Sequence, residues 1–72
     1  MSARYDDVIN NIKLIIEQKG MKQGVVAERA GFTQPEFSNI MRGRKLLRVE
    51  HLAKVSNALG VEINDLYQTA VK

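Results

Sequence analysis

The stretch Gln23–Arg42, QGVVAERAGFTQPEFSNIMR, decides the fold. Val26, Ala27 and Ala30 fall on one face of a short helix that begins at Gln23 or Gly24 and runs to Ala30. Gly31 closes it, because a residue without a β-carbon readily enters the left-handed conformation that ends a helix. Phe32, Phe37 and Ile40 continue the apolar set beyond the glycine. Thr33 offers a side-chain oxygen to cap a further helix, and Glu36, three residues on, completes the T-x-x-E capping box. Pro35 is tolerated in that first turn, where amides have no helical partner. It also biases Gln34 away from helical angles, which predicts a start one residue later than the box implies. The stretch reads as two short helices meeting steeply at a tight turn around a shared apolar seam.

Upstream, Val8, Ile9, Ile12, Ile15 and Ile16 recur at three- and four-residue spacing, which predicts an amphipathic helix from about Tyr5 to Lys19 with Gly20 as its stop. Met21, a lone apolar residue in the connection, is read as a plug for the core rather than a ligand thioether. Downstream of Gly43, the segment RKLL contains no glycine or proline. Val49, Leu52, Ala53, Ser56 and Leu59 then mark a fourth helix ended by Gly60. Ile63, Leu66 and Tyr67 carry a short fifth helix with Glu62 at its cap, a weak capping residue whose charge suits a helix N-terminus. Tyr5 and Tyr67 read as aromatics at the edge of the core. With no strand-like alternation and no repeat, the expectation is an all-α, compact five-helix bundle.

A chain of 72 residues predicts one small domain spanning residues 1–72, near the size at which a single core supplies about 3–5 kcal/mol of net stability. The absence of Cys excludes disulfides, thiolate zinc sites and cysteine nucleophiles. One His and no carboxylate cluster leave little for a transition metal to bind, so no metal and no cofactor is expected. His51, beside Glu50, reads as a solvated or partly packed side chain, and Lys54 and Arg29 as solvated. No apolar run approaches the roughly 20 residues that span a bilayer. The N-terminal MSARYDD lacks the basic start and apolar run of a secretory signal. A cytoplasmic protein without membrane contact is expected. Eleven Lys and Arg against eight Asp and Glu give a net charge of +3, and placement says more than the total. Between Phe37 and Val49 there is no acid, yet Arg42, Arg44, Lys45 and Arg48 all fall there, a local positive field.

Two helices crossing over a shared seam, with the second projecting from the body, form the helix-turn-helix arrangement, whose second helix fits the major groove of DNA. At this level of detail the chain resembles the Cro/CI-type (lambda-repressor-like, or xenobiotic-response-element) family of regulators from about Val8 to Tyr67. The resemblance is carried by Gln23 opening the second helix, Ala27 and Gly31 at the small-residue and turn-glycine positions, and Phe32, Phe37 and Ile40 in the apolar ones. Ser38, the RGR of Arg42–Arg44, and HLAKVSNALGVEINDLY complete it. Two departures stand out. Met41 replaces an acid that often precedes the Arg-Gly pair, removing an ion pair or cap. Leu46 and Leu47 occupy a loop that is often polar or proline-containing, where one leucine can reach the core and the other be exposed.

The resemblance implies a lambda-repressor-like fold with the helix-turn-helix at helices 2 and 3, and base readers on the outward side of the third helix: Gln34, Pro35, Ser38 and Asn39. The chemistry suits them, since a side-chain amide pairs with adenine N6 and N7 together, and Pro35 can press on a thymine methyl. Glu36 is divided between closing the capping box and accepting from a cytosine, with the cap favoured. Ser38 is divided between phosphate and an intrahelical bond. Gln23 resembles the family's phosphate-contacting Gln, which also braces the first base-reading glutamine. Thr33, Arg42, Arg44 and Lys45 join it as phosphate contacts, the three basic residues on the far side of the recognition helix, where they hold register without reading sequence.

The function this implies is a sequence-specific regulator of double-stranded DNA, a repressor that binds a two-fold operator as a homodimer. The dimer surface is placed around Leu46, Leu47, Val55 and the final helix. A second class is a protein-interaction module of the same fold, antitoxin-like or antirepressor-like, with DNA binding secondary. An enzyme is the weakest reading, for no nucleophile–base pair is present and so short a chain has little room for a substrate pocket.

Overall fold

Apolar residues at helical spacing become the inward faces of five helices in the computed structural model, which describes residues 5–67. They are α1 (Tyr5–Gln18), α2 (Gln23–Arg29), α3 (Gln34–Met41), α4 (Val49–Leu59) and α5 (Ile63–Tyr67). The Tyr5 side chain, read above as an edge aromatic, lies outside the described set. Among the described residues there is no strand, and no helix is long and apolar enough to cross a membrane.

All five helices feed one core. Val8, Ile9, Ile12 and Ile16 of α1 meet Val26 and Ala27 of α2, Phe37, Ile40 and Met41 of α3, Leu52, Val55 and Leu59 of α4, and Leu66 of α5. Met21 and Phe32 pack against this cluster from the connections, half-buried, so Met21 does plug the core. The α2 helix packs on both α3 and α4, while α1 packs on α5 and α3. That sandwiching holds the two short helices at the crossing their seam requires.

The turn between α2 and α3 depends on Gly31, whose φ of 84° costs a residue with a β-carbon about 1–2 kcal/mol. In that conformation the Gly31 N–H donates to the Glu28 carbonyl and the Phe32 N–H to the Ala27 carbonyl, which satisfies two orphan acceptors at the end of α2. Gly43 ends α3 with the same pair of bonds, to Ile40 and Asn39.

One sequence expectation fails at the start of α3. Pro35 does not delay the helix, which begins at Gln34 with Thr33 as its cap. The two reciprocal bonds of the capping box, Glu36 N–H to Thr33 Oγ1 at 3.2 Å and Thr33 N–H to Glu36 Oε1 at 3.0 Å, outweigh the pre-proline bias on Gln34.

The dimer surface placed around Leu46, Leu47 and Val55 is also corrected in part. Val55 is fully buried and Leu47 is 9% exposed, so both belong to the core, whereas Leu46 is 71% exposed. The adjacent leucines divide as their position in a connection allows, one inward and one outward. Val49, Ile63 and Tyr67 are the other large exposed apolar side chains, beside a marginal Val25.

Two polar residues hold elements together. Asn11 of α1 is buried, and its Nδ2 donates to the Leu66 carbonyl of α5 at 2.9 Å, a bond that ties the two helices together. His51 lies in the first turn of α4, where its Nδ1 accepts the Arg48 N–H at 3.2 Å. Its ring stands edge-on to Phe32, with centroids 4.9 Å apart.

Candidate nucleic-acid interface

The α3 helix presents two opposite faces. Phe37, Ile40 and Met41 are buried, and this inward row dictates what points the other way. Pro35, Ser38, Asn39 and Arg42 fall at i, i+3, i+4 and i+7, the spacing of a single helical stripe, on the side away from the core. Pro35 and Arg42 are exposed, while Ser38 and Asn39 are half-buried. Met41, the residue that replaces an acid, is inside the core. At that position apolar burial takes the place of the ion pair or cap that the resemblance implies.

Gln34, at the first position of α3, lies at the edge of this stripe. It is exposed, and its terminal amide lies over the first turn of α2 beside Gly24. The neighbouring Gln23, the first residue of α2, is exposed as well. The two glutamines thus mark one side of the stripe, at the place where the helix-turn-helix brings the starts of both helices together.

Glu36 is committed to structure. Its Oε1 accepts the Thr33 N–H and, at 3.2 Å, the Thr33 hydroxyl, while its Oε2 pairs with Lys45 Nζ at 3.3 Å. The backbone bond from Thr33, then the Lys45 ammonium, then the Thr33 hydroxyl hold its carboxyl below the usual carboxylate range. Hydrogen bonds to the charged form and a nearby cation both favour ionisation. The pair with Lys45 is solvated, with side chains 50% and 43% exposed, so it adds little to stability. It does fix where Lys45 lies. Sequence reasoning put Lys45 with Arg42 and Arg44 on the far side of α3, but the chain turns back after Gly43 and returns Lys45 to the first turn. Arg42, the C-terminal cap of α3, and Arg44 remain exposed at the far end. Cations therefore flank the outward stripe at both ends.

Three contacts escaped the sequence. Lys45 approaches Glu36 across nine positions, a contact set by the loop and by no local pattern. His51 supports the site indirectly, by ordering the start of α4 against Phe32 of the turn. Gly24 enters the sequence reading only as a candidate start of α2, yet it is where the Gln34 side chain lies.

The Helix-turn-helix family model, HTH_3, matches residues 12–66, which takes in all of this site. No curated protein matches the chain. Among solved structures, the restriction-modification controller protein C.AhdI from Aeromonas hydrophila superposes with a TM-score of 0.79 at 19% identity, over 88% of this chain and 96% of that one. The N-terminal DNA-binding domain of SinR from Bacillus subtilis gives 0.75 at 26% identity, over 93% and 99%. SinR, the master regulator for biofilm formation, in complex with DNA gives 0.71 at 30% identity, over 82% and 95%. At 19% identity the first likeness is one of fold alone; the family match and the SinR likeness reach further. The chain belongs to the helix-turn-helix family of Cro/CI-type regulators, DNA-binding transcription factors and not enzymes.

Proposed function

We propose that residues 1–72 act as one DNA-binding domain that represses transcription in the cytoplasm by occupying a two-fold operator as a homodimer, with α3 in the major groove. The observation that carries this reading is the polar stripe of α3, turned away from the core and flanked by cations at both ends. Gln34, Pro35, Ser38 and Asn39 face base edges. The two amides read adenine, and the proline rests against a thymine methyl. Gln23, Thr33, Arg42, Arg44 and Lys45 contact phosphates on either side and hold the helix in register. Thr33 and Lys45 do so from positions fixed by Glu36. SinR, to which this chain is similar, has been solved in complex with DNA, which favours this mode over a purely protein-binding role.

A two-fold operator requires two recognition helices about 34 Å apart, one turn of B-DNA. The body measures 32 × 24 × 19 Å, so two copies set end to end along the long axis at that separation can touch. Exposed apolar side chains suited to that contact are Leu46 and Val49 near the start of α4, and Ile63 and Tyr67 on α5. Selection of bound sites from a random DNA pool tests the whole reading. A palindromic consensus with half-site centres one helical turn apart is expected. Sequence-indifferent, weak binding would instead point to a protein partner and overturn it. A salt titration of the selected site should give a log–log slope of about −0.9 per neutralised phosphate.

A further inference from the structure

We propose that Gly24 is a specificity-determining residue: by lacking a side chain it leaves a seat on α2 for the Gln34 amide and so sets how that amide meets its base pair. The inference rests on the base-reading role proposed for Gln34 and goes beyond it. Gly24 lies inside α2, and it is not among the glycines with positive φ, so the backbone does not require glycine there. Helix propensity argues against it, since only proline is a poorer helix former. The space above its α-carbon explains the choice. A β-carbon on Gly24 would stand 3.0 Å from Gln34 Nε2, 3.2 Å from Cδ and 3.6 Å from Oε1. The three nearest atoms all belong to one side chain, so Gln34 is what a residue larger than glycine would displace first.

A glutamine amide pairs with adenine through two bonds at once, which demands a fixed amide plane. Three side-chain torsions normally leave that plane free, and ordering them on binding costs affinity. Resting the amide on the bare first turn of α2 removes part of this freedom before DNA arrives. It also sets the height of the amide above the groove. A methyl group at position 24 lifts the amide by a few tenths of an ångström. The far end of a glutamine moves easily, so the fold survives and the readout shifts.

The test compares the wild type, Gly24→Ala, Gln34→Ala and the double variant on the selected operator and on its single-base-pair derivatives, with thermal unfolding in parallel. Gly24→Ala should melt at or above the wild-type temperature. It should lose about three- to tenfold in discrimination at the base pair that Gln34→Ala relaxes, a fraction of what a whole bidentate contact supplies. Other positions and the salt slope should not change. In the Gln34→Ala background the same substitution should have no further effect, because the side chain through which it acts is gone. Undiminished discrimination in Gly24→Ala would overturn the proposal while leaving Gln34 as a reader. So would an equal loss with and without Gln34, which would assign the effect to phosphate approach at α2. If Gln34→Ala itself relaxed no base pair, the reading role and this inference would fall together.

Discussion

The proposed mode gives Gln34 and Lys45 two different kinds of contact with DNA, and substituting each should separate reading from holding. Gln34→Ala removes an amide that the proposed mode aims at one base pair in each half-site. It should cost about 1–3 kcal/mol there and relax discrimination at that position alone. Lys45→Ala removes a point charge, so it should weaken binding to every sequence alike and flatten the salt slope by roughly one unit. Binding measured on matched and mismatched operators at several salt concentrations decides the assignment, and exchanged effects would reverse it. Asn11 is a contrasting case, a buried polar residue with a purely structural bond. Asn11→Ala leaves the Leu66 carbonyl without its donor and should destabilise the protein by about 1–3 kcal/mol in denaturant unfolding, with operator preference unchanged. The spacing of α1 sets Asn11 beside the apolar face, three residues after Val8 and four before Ile15, but nothing local marks its bond, because the partner lies far along the chain. The outward face of α3 was legible, since the buried Phe37, Ile40 and Met41 fix the opposite one. The pairing of Lys45 with Glu36 and the seat of Gln34 on Gly24 were not, because both depend on how a loop returns and how two helices cross.

At the scale of the element, the first turn of α3 is held by a complete capping box and the Glu36–Lys45 pair. Thr33→Ala removes the side-chain acceptor of the capping box and should cost about 0.5–2 kcal/mol, read as a lower midpoint in urea. The same box gives an acid dependence. The Glu36 carboxyl is held below its ordinary range by Thr33 and Lys45, so the folded form binds its proton less readily than the unfolded form. Its contribution is therefore complete above the ordinary carboxylate pKa and is lost as pH falls through the lower, folded-state value. Unfolding midpoints from pH 6 downward should decline through this window, and Glu36→Gln should remove that part of the decline. A decline of the same size in Glu36→Gln would assign it to other carboxylates. The helix boundaries themselves were largely written in the sequence. Glycine stops and apolar spacing place all five to within a residue or two, and the one misplaced start, at Gln34, reflects two cap bonds that act against the proline.

In the whole molecule, the exposed apolar residues define what is left for a second copy. Leu47 is inside, so Leu47→Glu should bury an unpaired charge at a cost of about 3 kcal/mol or more and unfold a domain of this size. Leu46→Glu should leave the melting temperature almost unchanged. It should also shift sedimentation toward the monomer and weaken operator binding. Unaltered sedimentation and affinity in Leu46→Glu would remove Leu46 from the proposed interface. The sequence pointed to one leucine inward and one outward in this region but not to which, because adjacent leucines in a loop have no periodicity to decide it. The clasp between Asn11 and Leu66 spans 55 positions and has a consequence for biosynthesis. α1 is made before α5, yet its amide meets its acceptor only when α5 has emerged, so closure of the bundle waits on a long-range contact. A nascent chain halted before Leu66 carries an unsealed α1, a target for chaperones and proteases until α5 has been made.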